Sequence, residues 1–316
     1  MTLTIEELLV DRGTPIEAKA LRFEGVAGHD TYNISRPIET PDGPVIAGRV
    51  EKRDSEHSTV VFFRPSDEPD VWERTDLPTL ELQDPFVSRI EGDVVLGGVE
   101  ITANPDRKGR DDTFIWRTRL FRGENLGDLA PMLNGPWGMK DLRLVQLPDG
   151  RIGVFTRPQG GPAGRGMIGF DIAGGASELN EDLITAAPTW DDMYVPDEWG
   201  GANDAVALGD DRVGVLAHIA RFVGDVREYY PLTFEVDLRS REWSSPRIPF
   251  ARSDLPAGPA KRPDLVDVVF PGGMIPDTTP DGTRVARIYC GVGDAQAQKV
   301  TIAWPFSRWP ESLGPR

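Results

Sequence analysis

The chain has 316 residues, with 35 basic against 51 acidic side chains and a formal net charge of −16, a balance that argues against the basic surface needed to bind nucleic-acid phosphates or an anionic membrane. The single cysteine, Cys290, rules out an intramolecular disulfide, and its apolar setting in ARIYCGV reads as a buried, inert thiol. No stretch approaches the roughly 20 apolar residues that span a bilayer, and MTLTIEELLVDRG carries neither a basic n-region nor an apolar h-region, so the expectation is a cytoplasmic protein with no nucleic-acid and no membrane partner.

Long apolar stripes at helical period are missing, and only Ile5–Gly13 and Ser177–Ile184 read as short helical pieces. The rest is β-rich, with 34 Gly and 28 Pro falling between strand-like runs. Five strand groups follow in chain order. The first spans Leu21–Trp72, with PVIAGRVEKR and STVVFFRP as strands on either side of a turn. The second spans Leu80–Phe121, with DPFVSRI, DVVLGGVEI and FIWRTRLFRG as strands and NPDRKGRDD as a charged loop. The third spans Trp137–Ile172 and contains a hairpin closed by Asp149-Gly150. The fourth, Trp199–Trp243, holds the hairpin AVALGDDRVGVLAHIAR and the outer strand YYPLTFEVDL. The fifth, Leu265–Trp304, holds VVFPGGMI, VARIYCGVGD and QKVTIAWP.

Each group opens with a short polar motif: HDTYNISRP (29–37), LQDPFVSRI (82–90), GMKDLRL (138–144), GGANDAV (200–206) and DVVFPGGM (267–274). A strand-only repeat of about 40–50 residues is the pattern of a propeller, in which each blade is one small sheet. The prediction is an all-β fold, a five-bladed β-propeller forming one domain over 1–316. Residues up to Arg22 would add a strand to the fifth blade and close the ring, which protects the sheet edges. The five polar strand starts would converge on the central channel, a pocket with charges of both signs suited to a sugar or a phosphate.

Within that pocket Asp84, fixed by Pro85 at the start of an innermost strand, is the candidate general acid, although Asx-Pro also begins ordinary turns. Lys140, Asp141 and Arg143 precede one strand and Arg157 ends its partner, so the cations could cradle a phosphate or form a surface ion-pair cluster. His218 interrupts an apolar strand and reads as either a satisfied core residue or an anion donor facing the channel. Asp30 and Asn33 stand beside His29 at the first strand start. The Trp-rich loop Thr189–Trp199 could wall a sugar site, but loop packing is the simpler reading. No HExxH, paired CxxC or GxSxG is present, and no GxGxxG or P-loop follows a strand, so no metal and no nucleotide cofactor is predicted.

Together these strings resemble the family-130 glycoside hydrolases and phosphorylases, five-bladed propellers that act on β-mannosides. They resemble still more closely the dual β-1,2-mannosyltransferase–phosphorylases of glycosyltransferase family 108, formerly a domain of unknown function. The similarity runs from YNISRP through KDLR, DGRIGVFTRPQG, GGANDAV and VVFPGG to YCGVGDAQAQKVTIAWPF. It implies Asp84 as the catalytic acid and Asn33 as a mannosyl contact. It implies Lys140, Arg157 and His218 as phosphate-binding residues and Asp294 in GVGDA as a contact to sugar hydroxyls. The chain departs from the pattern at Phe86, where an Arg commonly follows Asp-Pro, and at ANDA, where the family carries Gly-Pro-Pro.

The implied activity is inverting phosphorolysis or synthesis of β-mannosides, with mannose 1-phosphate as product or donor and inorganic phosphate as co-substrate. The expected partners are mannosides or manno-oligosaccharides together with phosphate or mannose 1-phosphate. A phosphorylase needs one acid because phosphate is itself the nucleophile, whereas an inverting hydrolase needs a second carboxylate to activate water. In a hydrolase Asp30, Asp141 or Asp204 would be that base; in the phosphorylase they are substrate contacts. A non-catalytic sugar-binding propeller is the third reading.

Overall fold

The computed structural model describes residues 2, 4–104 and 114–310. Residues 105–112 of the expected charged loop lie outside the described residues. Among the described residues the fold is all-β, with two α-helices of about one and a half turns. Helix α1 (Ile5–Val10) begins at Thr4, whose side chain accepts from Glu7 N while the Glu7 carboxylate accepts from Thr4 N, a reciprocal cap that satisfies two of the helix's free amides. Helix α2 (Glu181–Ala186) is capped by Asn180. Helix α1 falls within the expected Ile5–Gly13, whereas α2 starts four residues after the expected Ser177, which lies in a separate 3-10 turn (Ala176–Glu178).

The strands are β1 (Glu17–Glu24), β2 (Asp30–Tyr32), β3 (Ile38–Thr40), β4 (Gly43–Glu51), β5 (Ser58–Pro65), β6 (Val71–Arg74), β7 (Gln83–Ile90), β8 (Asp93–Ala103), β9 (Phe114–Gly123), β10 (Ala130–Asn134), β11 (Arg143–Gln146), β12 (Ile152–Thr156), β13 (Gly169–Ala173), β14 (Trp199–Gly209), β15 (Arg212–Val223), β16 (Val226–Asp237), β17 (Trp243–Arg247), β18 (Asp267–Thr278), β19 (Arg284–Val292) and β20 (Gln296–Ala303). Antiparallel pairing groups them as β2 to β6, β7 to β10, β11 to β13, β14 to β17, and β18 to β20. Strand β1 pairs antiparallel with β20 through Glu17–Leu21 and then parallel with β6 through Arg22–Glu24. The N-terminal segment thus joins the last group to the first, as expected from its sequence.

Alternate residues of single strands go to different apolar clusters, which shows how the groups pack. Along β8, Val94 and Leu96 enter a cluster with the first group, while Val95 enters one with the third. Along β11, Leu144 packs against the second group and Val145 against the fourth. Each sheet therefore buries both faces, and its strands read as continuous apolar runs because side chains alternate across the pleat. The remaining clusters join the fourth group to the fifth, through Leu216 and Ile288, and the fifth to the first, through Tyr289 and Phe63. Cys290 is buried in the former, and burial pushes its thiol up to about 12.

The leading strands approach one another: β4 touches β7, β7 touches β11, β11 touches β14, β14 touches β18, and β18 touches β7. Three of them break register near their motif, β7 between Gln83 and Phe86, β14 between Ala202 and Asp204, and β18 between Pro271 and Gly273. Such bulges re-aim side chains out of the regular alternation. In each case the break falls inside the polar motif.

Candidate active site

Four of the predicted residues share an uncommon backbone. Asn33, Asp84, Asp141 and Asp294 all have left-handed conformations, with φ of 43°, 47°, 63° and 50°. Asn and Asp tolerate that region better than other side-chain-bearing residues, and a left-handed residue swings its side chain away from the sheet face it would otherwise join. At Asp84 this coincides with the bulge in β7.

Asn33, Asp84, Lys140 and Asp294 line one cavity of about 180 Å3 with Arg49, Glu56, Arg227, Tyr229 and Arg262. Asp84 Oδ1 accepts from Asn33 Nδ2 at 2.8 Å and from Arg49 Nη1 at 3.0 Å. Burial raises the Asp294 carboxyl above the usual range, with Arg49 pulling against that and Asp84 adding to it. Glu56 is tied to Arg262 at 3.0 Å and to Lys261 at 3.1 Å. The cavity thus presents one carboxylate held by an amide and a guanidinium, a second pushed toward its protonated form, a third, Glu56, tied up by Lys261 and Arg262, and a surround of cations.

Asp141, Arg157 and His218 do not line this cavity; they are buried apart from its wall, with exposures of 1%, 3% and 1%. Asp141 Oδ2 lies 3.1 Å from Arg157 Nη1, and its Oδ1 lies 3.8 Å from Arg143 Nη2. Burial alone would push Asp141 up, but the fields of Arg157, Lys140 and Arg143 more than reverse it and hold the carboxyl at about 2. Burial drives the His218 ring down to about 3 against the pull of Asp141, so the imidazole is neutral at physiological pH. Its Nδ1 donates to Asn203 Oδ1 at 2.8 Å, and the ring stacks on Tyr229, a residue of the cavity wall. Arg157 Nε donates to the Gly200 carbonyl at 2.6 Å.

This cluster is packed against the glycines of the fourth motif. A methyl group on Gly201 would sit 2.6 Å from Arg157 Cδ and 3.0 Å from both Asp141 Oδ2 and His218 Cε1. Gly201→Ala is therefore expected to destabilise the protein by about 1–3 kcal/mol through overpacking, read as a lowered melting temperature. An unchanged melting temperature would mean that the cluster has room to yield.

Asp30 and Asp204 are placed elsewhere. Asp30 pairs with Arg53, Oδ1 accepting from Nη2 at 2.7 Å, outside the cavity. Asp204 pairs with Arg36 at 3.1 Å and accepts from the Ala205 and Met274 amides, both at 2.9 Å, which ties the fourth group to the fifth. Their place at strand starts groups them with the sugar contacts in sequence, but neither lines the cavity. Trp190 stacks on Phe170 and donates to the Arg241 carbonyl, and Trp199 donates to Tyr229 OH, so the Trp-rich loop serves packing.

Arg49, Arg227, Tyr229 and Arg262 also line the cavity, and the sequence does not single them out. Arg49 reads as the polar half of an alternating strand, yet it is only 5% exposed. Its signal is Glu51 two positions on, on the same strand face. Arg227, Tyr229 and Arg262 come from an outer-strand start and a loop, where sequence shows only solvated charge. A larger open depression of about 670 Å3 runs along the first group, lined by His29, His57 and Glu81 among others. Of the five polar motifs it gathers only His29, so the smaller cavity is the candidate site. Among the described residues, no group of three or more His, Cys, Asp or Glu is gathered as a metal site, and no helix is long and apolar enough to cross a membrane.

The family model described as "protein of unknown function (DUF1861)" matches residues 10–308. A search of curated protein sequences finds no match. Among solved structures, a mannose phosphorylase from Leishmania mexicana in complex with phosphate ion is similar at 33% identity and a TM-score of 0.85, over 96% of this chain and 92% of that one. A GDP-Man-dependent mannosyltransferase from the same organism is similar at 29% identity and a TM-score of 0.85, over 96% and 95%. A β-1,2-mannobiose phosphorylase from Listeria innocua, in complex with β-1,2-mannobiose, shares the fold at 12% identity and a TM-score of 0.57, over 92% of each chain.

Proposed function

The chain belongs to the DUF1861 family, and on that premise we propose that it is an inverting phosphorylase that breaks and makes β-mannosides, with β-1,2-linked mannosides as substrates. Its mannose phosphorylase relative is 33% identical over nearly the whole chain. The observation that carries the reading is the sorting of carboxylates. Asp84 shares the cavity with Lys140, its other carboxylates being Asp294, pushed toward the protonated form, and Glu56, tied to Lys261 and Arg262, whereas Asp30, Asp141 and Asp204, the candidates for a hydrolytic base, do not line it.

The chemistry follows from that sorting. Protonated Asp84 gives its proton to the glycosidic oxygen as the bond from that oxygen to the anomeric carbon breaks. A phosphate oxygen forms the new bond from the opposite face, so a β-mannoside yields α-mannose 1-phosphate and a free hydroxyl on the remaining sugar. In synthesis, the Asp84 carboxylate takes the proton from the acceptor hydroxyl and phosphate leaves. Lys140 and the arginines of the wall hold the phosphate in line, and its charge makes a water-activating base unnecessary. Arg157 and His218 support this wall, His218 through its stack on Tyr229. Asn33 and Asp294 take sugar hydroxyls. Inorganic phosphate is the only co-reactant this requires.

We further propose that the five strand groups are the blades of one closed propeller domain, with the cavity near its axis. The apolar clusters between successive groups and the β1 bridge from last to first support it. A cytoplasmic site of action accords with the lone, buried Cys290.

Incubation with β-1,2-mannobiose, with and without inorganic phosphate, tests the function. Mannose 1-phosphate is expected only when phosphate is present. Free mannose released equally in both would make the protein a hydrolase, and no turnover of this or longer β-mannosides would leave a transferase that uses a nucleotide-sugar donor or a sugar-binding protein.

A further inference from the structure

Glu51 has no part in the reaction just described, yet the architecture beside the cavity converges on it. It ends β4 with a wholly buried side chain and is paired to Arg49 Nη2 at 2.9 Å. Tyr32 OH, Ser58 Oγ and Lys261 Nζ also donate to it. Burying a carboxylate is costly unless it is paired and fully hydrogen-bonded. Burial here pushes Glu51 up, but Arg49, then Lys261, Ser58 and Tyr32, reverse it and hold the carboxylate ionised. Lys261 comes from the loop ahead of β18 and also donates to the Ser55 carbonyl at 2.6 Å.

Arg49 donates to two carboxylates, with Nη2 on Glu51 and Nη1 on Asp84 at 3.0 Å, and a third, Glu56, lies 3.7 Å from Nη2. A guanidinium divided in this way is a balance: what one carboxylate draws from it, the other loses. We propose that Glu51 is a positioning residue that sets the orientation and proton affinity of Asp84 through Arg49, and that Lys261 sets how strongly it does so. The inference rests on the phosphorylase reading in taking Asp84 as the acid. The charged and titratable groups around the pair are Arg143 and Asp294 beside Asp84, and Tyr32, Lys261, Glu56 and Asp294 around Glu51 and Arg49.

The two charge deletions then act in opposite directions. Glu51→Gln removes the carboxylate that competes most closely with Asp84 for Arg49, leaving Glu56 at 3.7 Å as the other, which favours the Asp84 carboxylate. Lys261→Met makes Glu51 draw harder on Arg49, which favours the protonated acid. The experiment is the pH profile of kcat/KM for phosphorolysis of β-1,2-mannobiose at saturating phosphate, with melting temperatures measured alongside. The alkaline limb, which reports loss of the acid's proton, is expected to move down by on the order of one pH unit in Glu51→Gln and up in Lys261→Met.

Limbs that stay in place, or that move in the same direction in both variants while the wild type turns over, overturn the inference. If Glu51→Gln does not fold, Lys261→Met carries the test, and a limb that does not move up in that variant overturns the inference. A wild type that releases no mannose 1-phosphate overturns the phosphorylase reading itself, and this inference with it.

Discussion

Asp84→Asn is expected to lower kcat/KM for phosphorolysis of a β-mannoside by about 10²- to 10⁴-fold, the usual range for loss of a positioned general acid. The exchange suits the site because φ at Asp84 is 47°, where Asn is tolerated and a β-branched or bulky residue is not. Arg49 keeps its bond to Glu51 in the variant, so no buried guanidinium is left without a carboxylate. The melting temperature is therefore expected to change little, which separates a chemical loss from a folding one. Single-turnover rates with a substrate carrying an activated leaving group provide the check. A leaving group that departs without a proton should recover much of the rate, and failure to recover it would remove Asp84 from the role of acid.

Asp141→Asn should have the larger effect on stability. It removes the carboxylate that faces Arg157 and Arg143, two guanidinium groups that are each 3% exposed. Removing one partner of a buried pair leaves an uncompensated charge and costs about 3–5 kcal/mol, readable as a shift in the denaturant midpoint. The backbone there also accepts Asn, φ being 63°, so strain does not confound the result. The wild type should show the matching acid dependence. Because the folded carboxyl is held at about 2 and the ordinary value is 3.8, this contribution is complete above the ordinary value and is lost as pH falls through the folded one. Acid unfolding in that window should be weakened or absent in Asp141→Asn. A variant as stable as the wild type would mean that the two arginines find other partners.

What was legible in the sequence was what repeats. Polar motifs at the head of apolar strands recur in every group, and the bulges in β7, β14 and β18 fall inside them. The strands themselves are readable because both faces of each sheet are buried. Depth was not legible. Lys140 and Asp141 are adjacent, but one lines the cavity and the other is buried with Arg157, and nothing in the local sequence says which. Asp30 looked equivalent to Asn33 three positions on, but it keeps an extended backbone and turns to Arg53, whereas Asn33 takes the left-handed kink. Arg227, Lys261 and Arg262 come from an outer strand and a loop far along the chain, and nothing local distinguishes them from solvated charge. Arg49 and Glu51 looked like the solvent face of a strand because alternation cannot tell water from a buried polar network.

The central claim is inverting attack by phosphate in the cavity of Asp84 and Lys140. Its most direct test is to follow β-1,2-mannobiose and inorganic phosphate with the wild-type protein by phosphorus and proton NMR from the first turnovers. The account predicts α-mannose 1-phosphate formed in equal amount with free mannose and no product without phosphate. Mannose released alone at the same rate without phosphate, or a β-configured sugar phosphate, would contradict it.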